Sequence, residues 1–340
     1  MAGSAETTIF TIMTALAEKT GAINLGQGFP DEDGPKLVID AAVEALRSGH
    51  NQYAPLPGIP ALRVAVTRHQ RLRYGIDLDP DTQVQVTFGA TEALASALLA
   101  LVRPGDEVAM LDPSYDSYAA VVALAGGVPR PIPLSPPGWR VEADAVDAAV
   151  SDRTRVLLVN SPHNPTGHVL DADELDVLAG ACRRHDVIAV TDEVYEHLIY
   201  DGEHIPIATR EGMAERTITV SSLGKTHSFT GWKIGWATGP AELVSAVRGV
   251  KQFLTFAGGT PLQHAAVVAL DEAGQEPAKL ARSLADKRDL LAEGLTAANI
   301  HHHRGAFDAT AGLTAEVRKL RDQVRRQVVH TIETQVLEAL

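Results

Sequence analysis

Short apolar runs recur along the chain, and each is followed at once by a polar, irregular segment. The runs fall at residues 84–88, 107–111, 156–160, 187–191 and 217–221. Helical spacing fills the intervals, at residues 59–74, 93–102, 114–126 and 173–185. Strands buried on both faces read as continuous apolar stretches. Their alternation with helices predicts an α/β chain, three layers deep (α/β/α), around a mostly parallel central sheet. In such sheets, ligands bind beyond the carboxyl ends of the strands. The segments placed there are Gly89-Ala90-Thr91, Asp112-Pro-Ser-Tyr115, residues 160–167, Asp192-Glu-Val-Tyr195 and Ser221-Ser-Leu-Gly-Lys225. Their shared position predicts one composite site.

Composition removes several other classes. The 340 residues carry 43 acidic and 30 basic side chains, a formal charge of −13, so the chain has no electrostatic reason to hold nucleic acid or an anionic membrane. No apolar stretch approaches the roughly 20 residues that span a bilayer, and the first residues lack the basic start of a secretory signal. The single cysteine, Cys182, can form neither an internal disulfide nor a cysteine metal cluster, which points to the reducing cytoplasm. The run His301-His302-His303 has no cysteine or spaced carboxylate pair beside it, and the other histidines are scattered in sequence, so no metal site is expected.

The most informative segment is Ser221-Ser-Leu-Gly-Lys225-Thr-His-Ser-Phe-Thr-Gly-Trp-Lys233-Ile-Gly. A lysine is ordinarily a solvated charge, and taken alone Lys225 is open to that reading. A lysine in a dry crevice instead becomes a Schiff-base nucleophile. Lys233, eight residues on, suits a phosphate. Together with Asn160-Ser-Pro-His-Asn-Pro-Thr-Gly167 and Asp192-Glu-Val-Tyr195, this segment resembles the class I/II aminotransferases. These are pyridoxal-phosphate (PLP) enzymes of the aspartate-aminotransferase fold, fold type I. The likeness is nearest to the branch of kynurenine, glutamine, methionine and succinyldiaminopimelate aminotransferases, and five motifs match in order.

The resemblance implies a role for each residue. Lys225 is the Schiff-base lysine and proton carrier. Asp192 faces the pyridine nitrogen, although Asp after a strand also fits a helix N-cap. Tyr195 and Asn164 contact the cofactor's 3′ oxygen; a tyrosine alone would equally be a core ring with its tip in water. Tyr115 stacks on the pyridine ring. The amides of Ala90 and Thr91, at a helix start, cradle the phosphate, and Ser222 and Lys233 complete the cup. Tyr53 reaches the phosphate of a neighbouring subunit, which implies a homodimer; the alternative is a buried aromatic beside a proline-rich turn. Gly28 and Phe29, with Asn164, line the substrate entrance. The Gly26-Gln-Gly-Phe-Pro segment is no dinucleotide fingerprint, because Phe-Pro-Asp follows where a third glycine is needed.

The expected organisation is an N-terminal arm and small-domain segment (1–48), a large PLP-binding domain (49–255) and a helical C-terminal segment (256–340). After about residue 295 the family pattern fades, leaving the small domain incomplete or atypical. Leu313, Val317, Leu320, Val324, Val328, Ile332 and Val336 then mark one helix face. A shifted reading frame, a helical replacement and an engineered alteration all fit, the first carrying most weight. Arg304 and Arg318 stand in no recognisable carboxylate-clamp motif, so cofactor binding is expected to survive better than transamination. The reading is a PLP-dependent aminotransferase working by ping-pong between an amino acid and a 2-oxo acid. The alternatives are a carbon–sulfur β-lyase on the same fold and a PLP-binding remnant.

Overall fold

Seven strands form one sheet in this computed structural model, which describes residues 9–21 and 33–297. They are β1 (Val84–Phe88), β2 (Glu107–Asp112), β3 (Val128–Pro133), β4 (Thr154–Asn160), β5 (Ile188–Asp192), β6 (Thr217–Ser222) and β7 (Ile234–Thr238). The helices are α1 (Ile9–Thr20), α2 (Lys36–Arg47), α3 (Pro60–Tyr74), α4 (Gly89–Leu101), α5 (Asp116–Leu124), α6 (Ala143–Ala149), α7 (Ala172–Arg184), α8 (Leu223–Thr226), α9 (Ala241–Leu254), α10 (Thr260–Asp271) and α11 (Glu276–Ala297). The sheet order is β1-β7-β6-β5-β4-β2-β3. Strands β3, β2, β4, β5 and β6 pair in parallel, whereas β7 runs antiparallel to both β6 and β1.

Central strands are apolar on both faces because both are covered. In β4, Leu157 and Val159 join one core with Ile132, Leu175 and Leu178, on the α6 and α7 side. Val156 and Leu158 join the opposite core with Leu94, Leu98 and Val247, on the α4 and α9 side. This is the two-residue period of a strand, with an apolar layer on each side. A third core surrounds the β1–β7 end, where Val38 and Ala42 of α2 meet Leu62, Val84, Trp236 and Ala265. Segments that the sequence reading divided at residues 48 and 255 therefore share one packed cluster.

Local rules explain the ends of these elements. Asp171 and Glu174 form a reciprocal capping box at the start of α7. Gly75 ends α3 in the left-handed conformation, at φ 68°. Strand β3 carries Pro129, Pro131 and Pro133, and it lies at the sheet edge, where a missing N–H is tolerated. Val128 and Leu134 flank the proline run, and their amides donate to the Asp106 and Asp112 carbonyls at 2.8 Å.

Two features differ from the sequence reading. Strand β7 was not foreseen, because its five residues include a glycine and follow the lysine motif without a helix between. No helix follows Asp192: residues 194–197 form turns, which removes the helix N-cap explanation for that carboxylate.

Where β7 passes the start of α4 the backbones almost touch. A Cβ at Gly235 would lie 2.5 Å from the Gly89 carbonyl carbon and 2.8 Å from the Ala90 nitrogen. Gly235→Ala should therefore cost about 1–3 kcal/mol of stability through overpacking, read as a lower urea midpoint. An unchanged midpoint would mean that this close approach is not maintained in solution.

Candidate active site

Because β7 is reversed, its first two residues meet the last residues of β1 and β6: Ile234 pairs with Phe88, and Gly235 with Ser222. Asp192 lies opposite both Asn160 of β4 and Val220 of β6. The carboxyl ends of β1, β2, β4, β5 and β6 thus lie on one sheet edge, together with the start of β7. All five polar segments singled out in the sequence follow those ends, and Lys233 joins them.

Asp192 is only 5% exposed. Its Oδ2 accepts a hydrogen bond from the Tyr118 hydroxyl at 2.7 Å, and its Oδ1 accepts one from the Val194 amide at 3.3 Å. Burial pushes its pKa up from 3.8 to about 6, against the two hydrogen bonds and the nearby Lys225 charge, which pull it down. Tyr118 was missed in the sequence; the available signal was its position three residues after Tyr115 at the start of a helix. Its ring meets the half-buried Tyr115 edge-on, with centroids 5.6 Å apart. Asn160 braces the same corner: its Nδ2 donates to the Asp192 carbonyl at 2.8 Å, and its Oδ1 accepts from the Asn164 amide at 2.6 Å.

The start of α4 makes the second part of the site. First-turn amides of a helix have no carbonyl partner within it, and they attract anions. Gly89 sits there at φ 68°, and a Cβ on it would come within 3.4 Å of the Lys233 ammonium nitrogen. Ala90 is half-buried, and Thr91 and Lys233 are exposed, so an anion could reach the cradle from solvent. Ser222 is buried at the adjoining end of β6, where it precedes the one-turn α8 that carries Lys225. The Lys225 ammonium lies 5.5 Å from the centre of the Tyr195 ring, itself buried.

Tyr53 differs from its buried alternative: it is 82% exposed, and its ring meets Phe256 edge-on at 5.7 Å. Gly28 and Phe29, the His301-His302-His303 run and the segment after residue 297 lie outside the described residues.

Histidines scattered in sequence gather in space behind the site. His69, Glu196 and His197 bring one ligand atom each within 4.8 Å of one another. Most of their polar atoms already engage neighbours: the two histidine Nε2 atoms lie 2.9 Å apart, and Arg73 lies 3.0 Å from His197 Nδ1, while His69 Nδ1 is buried without a hydrogen-bond partner. Glu196 accepts hydroxyl bonds from Tyr74 and Ser221, both at 2.5 Å. Burial pushes the Glu196 carboxyl up, but the fields of His69, His197 and His204 and the Ser221 bond outweigh it and leave the pKa at about 2. With an arginine at its mouth, this cluster braces the strand end that leads to Ser222.

The residues present fit PLP. A buried carboxylate of this kind favours a cationic ring nitrogen, a lysine amine stands in the same pocket, and the α4 start with Lys233 suits a phosphate. The family model for aminotransferase class I and II matches residues 20–336. The chain is 53% identical over 293 residues to a probable N-succinyldiaminopimelate aminotransferase of Mycobacterium tuberculosis, covering 85% of this chain and 74% of that protein. It is 42% identical over 290 residues to methionine aminotransferase of Escherichia coli, covering 85% and 75%. The solved structure of the M. tuberculosis N-succinyldiaminopimelate aminotransferase superposes with a TM-score of 0.87 at 51% identity, over 89% of this chain and 79% of that one.

Asp192 generates a pH prediction. Its folded pKa, about 6, exceeds its unfolded value of 3.8. The cofactor-free protein should therefore lose stability as pH rises through that window, by about 3 kcal/mol at 1.4 kcal/mol per unit. Asp192→Asn removes the penalty, so it should stabilise the cofactor-free protein at pH 8 and hardly change it at pH 4. Urea midpoints at both pH values check this, and parallel profiles would show that Asp192 is not the group titrating.

Proposed function

The chain belongs to the class I and II aminotransferases, and from that premise we propose how its own residues carry the reaction. The activity is PLP-dependent transfer of an amino group from an amino acid to a 2-oxo acid, in the ping-pong order that follows from the family. When bound, the cofactor supplies an electron sink for charge developing at the substrate α-carbon.

In our reading, Asp192 holds its negative charge against the ring nitrogen. Its burial supports this, because an ionised carboxylate so deep gains most from a cationic partner. Tyr195 and Asn164 hold the 3′ oxygen, and Tyr115 covers one face of the ring. Ala90, Thr91, Ser222 and Lys233 hold the phosphate. Lys225 would anchor the cofactor's carbonyl carbon; displaced from that carbon by the substrate's amine, its freed Nζ would move the proton at the substrate α-carbon. Asn164, with Gly28 and Phe29 from the resemblance, orients the substrate. The observation that carries the reading is the meeting of buried Asp192, Lys225 and the Gly89–Lys233 corner on one sheet edge.

We further propose a homodimer in which Tyr53 of one copy reaches the phosphate bound in the other. Its 82% exposure beside the exposed Phe253 and Phe256 supports a surface meant for covering. A cytoplasmic location is consistent with the buried free thiol of Cys182, and no described helix is long and apolar enough to cross a membrane. N-succinyldiaminopimelate and methionine, named for the two relatives, are the first amino donors to try.

Purified protein loaded with PLP should show a visible band that bleaches with an accepted donor, yielding one 2-oxo acid per amino group transferred. Lys225→Ala should slow that half-reaction by about 10³-fold. Pyruvate with ammonia and a thiol would identify a β-lyase instead. A band that no donor bleaches would mean that catalysis, but not cofactor binding, is lost.

Sedimentation should also give a dimer at micromolar concentration. Tyr53→Phe should weaken PLP binding by about tenfold to a hundredfold, the worth of one hydrogen bond to a charged group. A monomer with full PLP affinity would overturn the shared site.

A further inference from the structure

Glu92 is an awkward residue for a phosphate cradle. It lies in the first turn of α4, one residue after Thr91, and is only 9% exposed. Its Oε2 accepts the Phe88 amide at 2.7 Å, so it caps the helix start from inside. A carboxylate favours a helix N-terminus, but an unpaired buried one here would repel an arriving phosphate.

The neighbourhood supplies an offset. Lys251, on α9 and 2% exposed, places its ammonium 3.7 Å from Glu92 Oε2. It donates to Thr255 Oγ1 at 3.0 Å and to the Phe256 carbonyl at 2.9 Å. The Thr255 hydroxyl in turn donates to Glu92 Oε1 at 2.6 Å. The same ammonium lies 6.0 Å from the centre of the Phe88 ring, on the residue that immediately precedes α4. Phe256 is held at φ 60°, a left-handed conformation unusual for a phenylalanine, and its ring is the one that meets Tyr53. One buried cation thus neutralises the carboxylate behind the cradle and ties down the turn on which Tyr53 rests.

We propose that Lys251 is a positioning residue for the cofactor phosphate: it cancels the Glu92 charge behind the α4 amides and fixes the Phe256 turn beside them. This rests on the proposed phosphate site. Lys251 itself does not touch the phosphate in this scheme; it works through Glu92, Thr255 and Phe256.

The test compares dissociation constants for PLP and for pyridoxal, which lacks the phosphate, by absorbance titration. Lys251→Met should weaken PLP by about tenfold or more, the scale expected when a buried charge loses its partner, while pyridoxal changes less than about threefold. Adding Glu92→Gln to that variant should restore most of the PLP affinity. Lys251→Arg, which keeps the charge, should hold the PLP-to-pyridoxal ratio near that of the unaltered protein. Equal weakening of both ligands would mark a merely structural role and overturn the proposal, as would no change in either. If the unaltered protein binds pyridoxal as tightly as PLP, the phosphate site itself is misread, and the proposal falls with it.

Discussion

The buried carboxylate of Asp192 is the constraint around which the site is arranged. Taking it out of water is unfavourable, and one tyrosine hydroxyl, one backbone amide and the nearby Lys225 charge offset that cost only in part. In the proposed function a cationic ring nitrogen meets the remainder. On that reading, cofactor affinity and the stability of the cofactor-free fold pull in opposite directions. Tyr118 carries more than a packing role here, because its hydroxyl decides how much of the penalty is met before any ligand arrives.

Much of this architecture is visible in the sequence, for a physical reason. Strands covered on both faces must be apolar throughout, so β4 and β6 stand out as runs, and the polar residues at their ends stand out against them. What escapes is anything that depends on distant partners. Tyr118 carries a single polar atom in a helix that is apolar after its first two residues, Asp116 and Ser117. His69 and His197 are 128 residues apart and meet only after α3 packs behind the β5 turn. Glu92 and Lys251 lie far apart in the sequence, and nothing local to either one pairs them. Tyr53, with its alternative as a core ring, could be placed only by seeing which surface α9 and the Phe256 turn present. Strand β7 hides because its residues also belong to the lysine motif.

Behind the site, polar groups replace the apolar packing found elsewhere under the sheet. Glu196, Ser221, Tyr74 and the histidine pair are joined by short hydrogen bonds, and Glu193 pairs with His204 at 2.7 Å. Directional bonds hold a strand end more narrowly in place than methyl contacts do, since each has a preferred angle as well as a distance. That matters at the end of β6, where a small shift would be passed on to Ser222 and Lys225. The apolar cores give the domain its stability, and this polar layer gives its edge a definite position.

The reversal of β7 has a consequence for assembly. Parallel neighbours such as β4 and β5 are joined only through a helix and must find each other across a long stretch of chain. Strands β6 and β7 instead form a hairpin, and both lysines lie in its connecting loop. Short loops close with little entropy loss and within microseconds, so this half of the site can organise locally. The carboxylate half depends on slower, non-local pairing of β5 with its neighbours. The two lysines are thus brought together by one local hairpin, while the acid opposite them is placed by pairing between strands far apart in the chain.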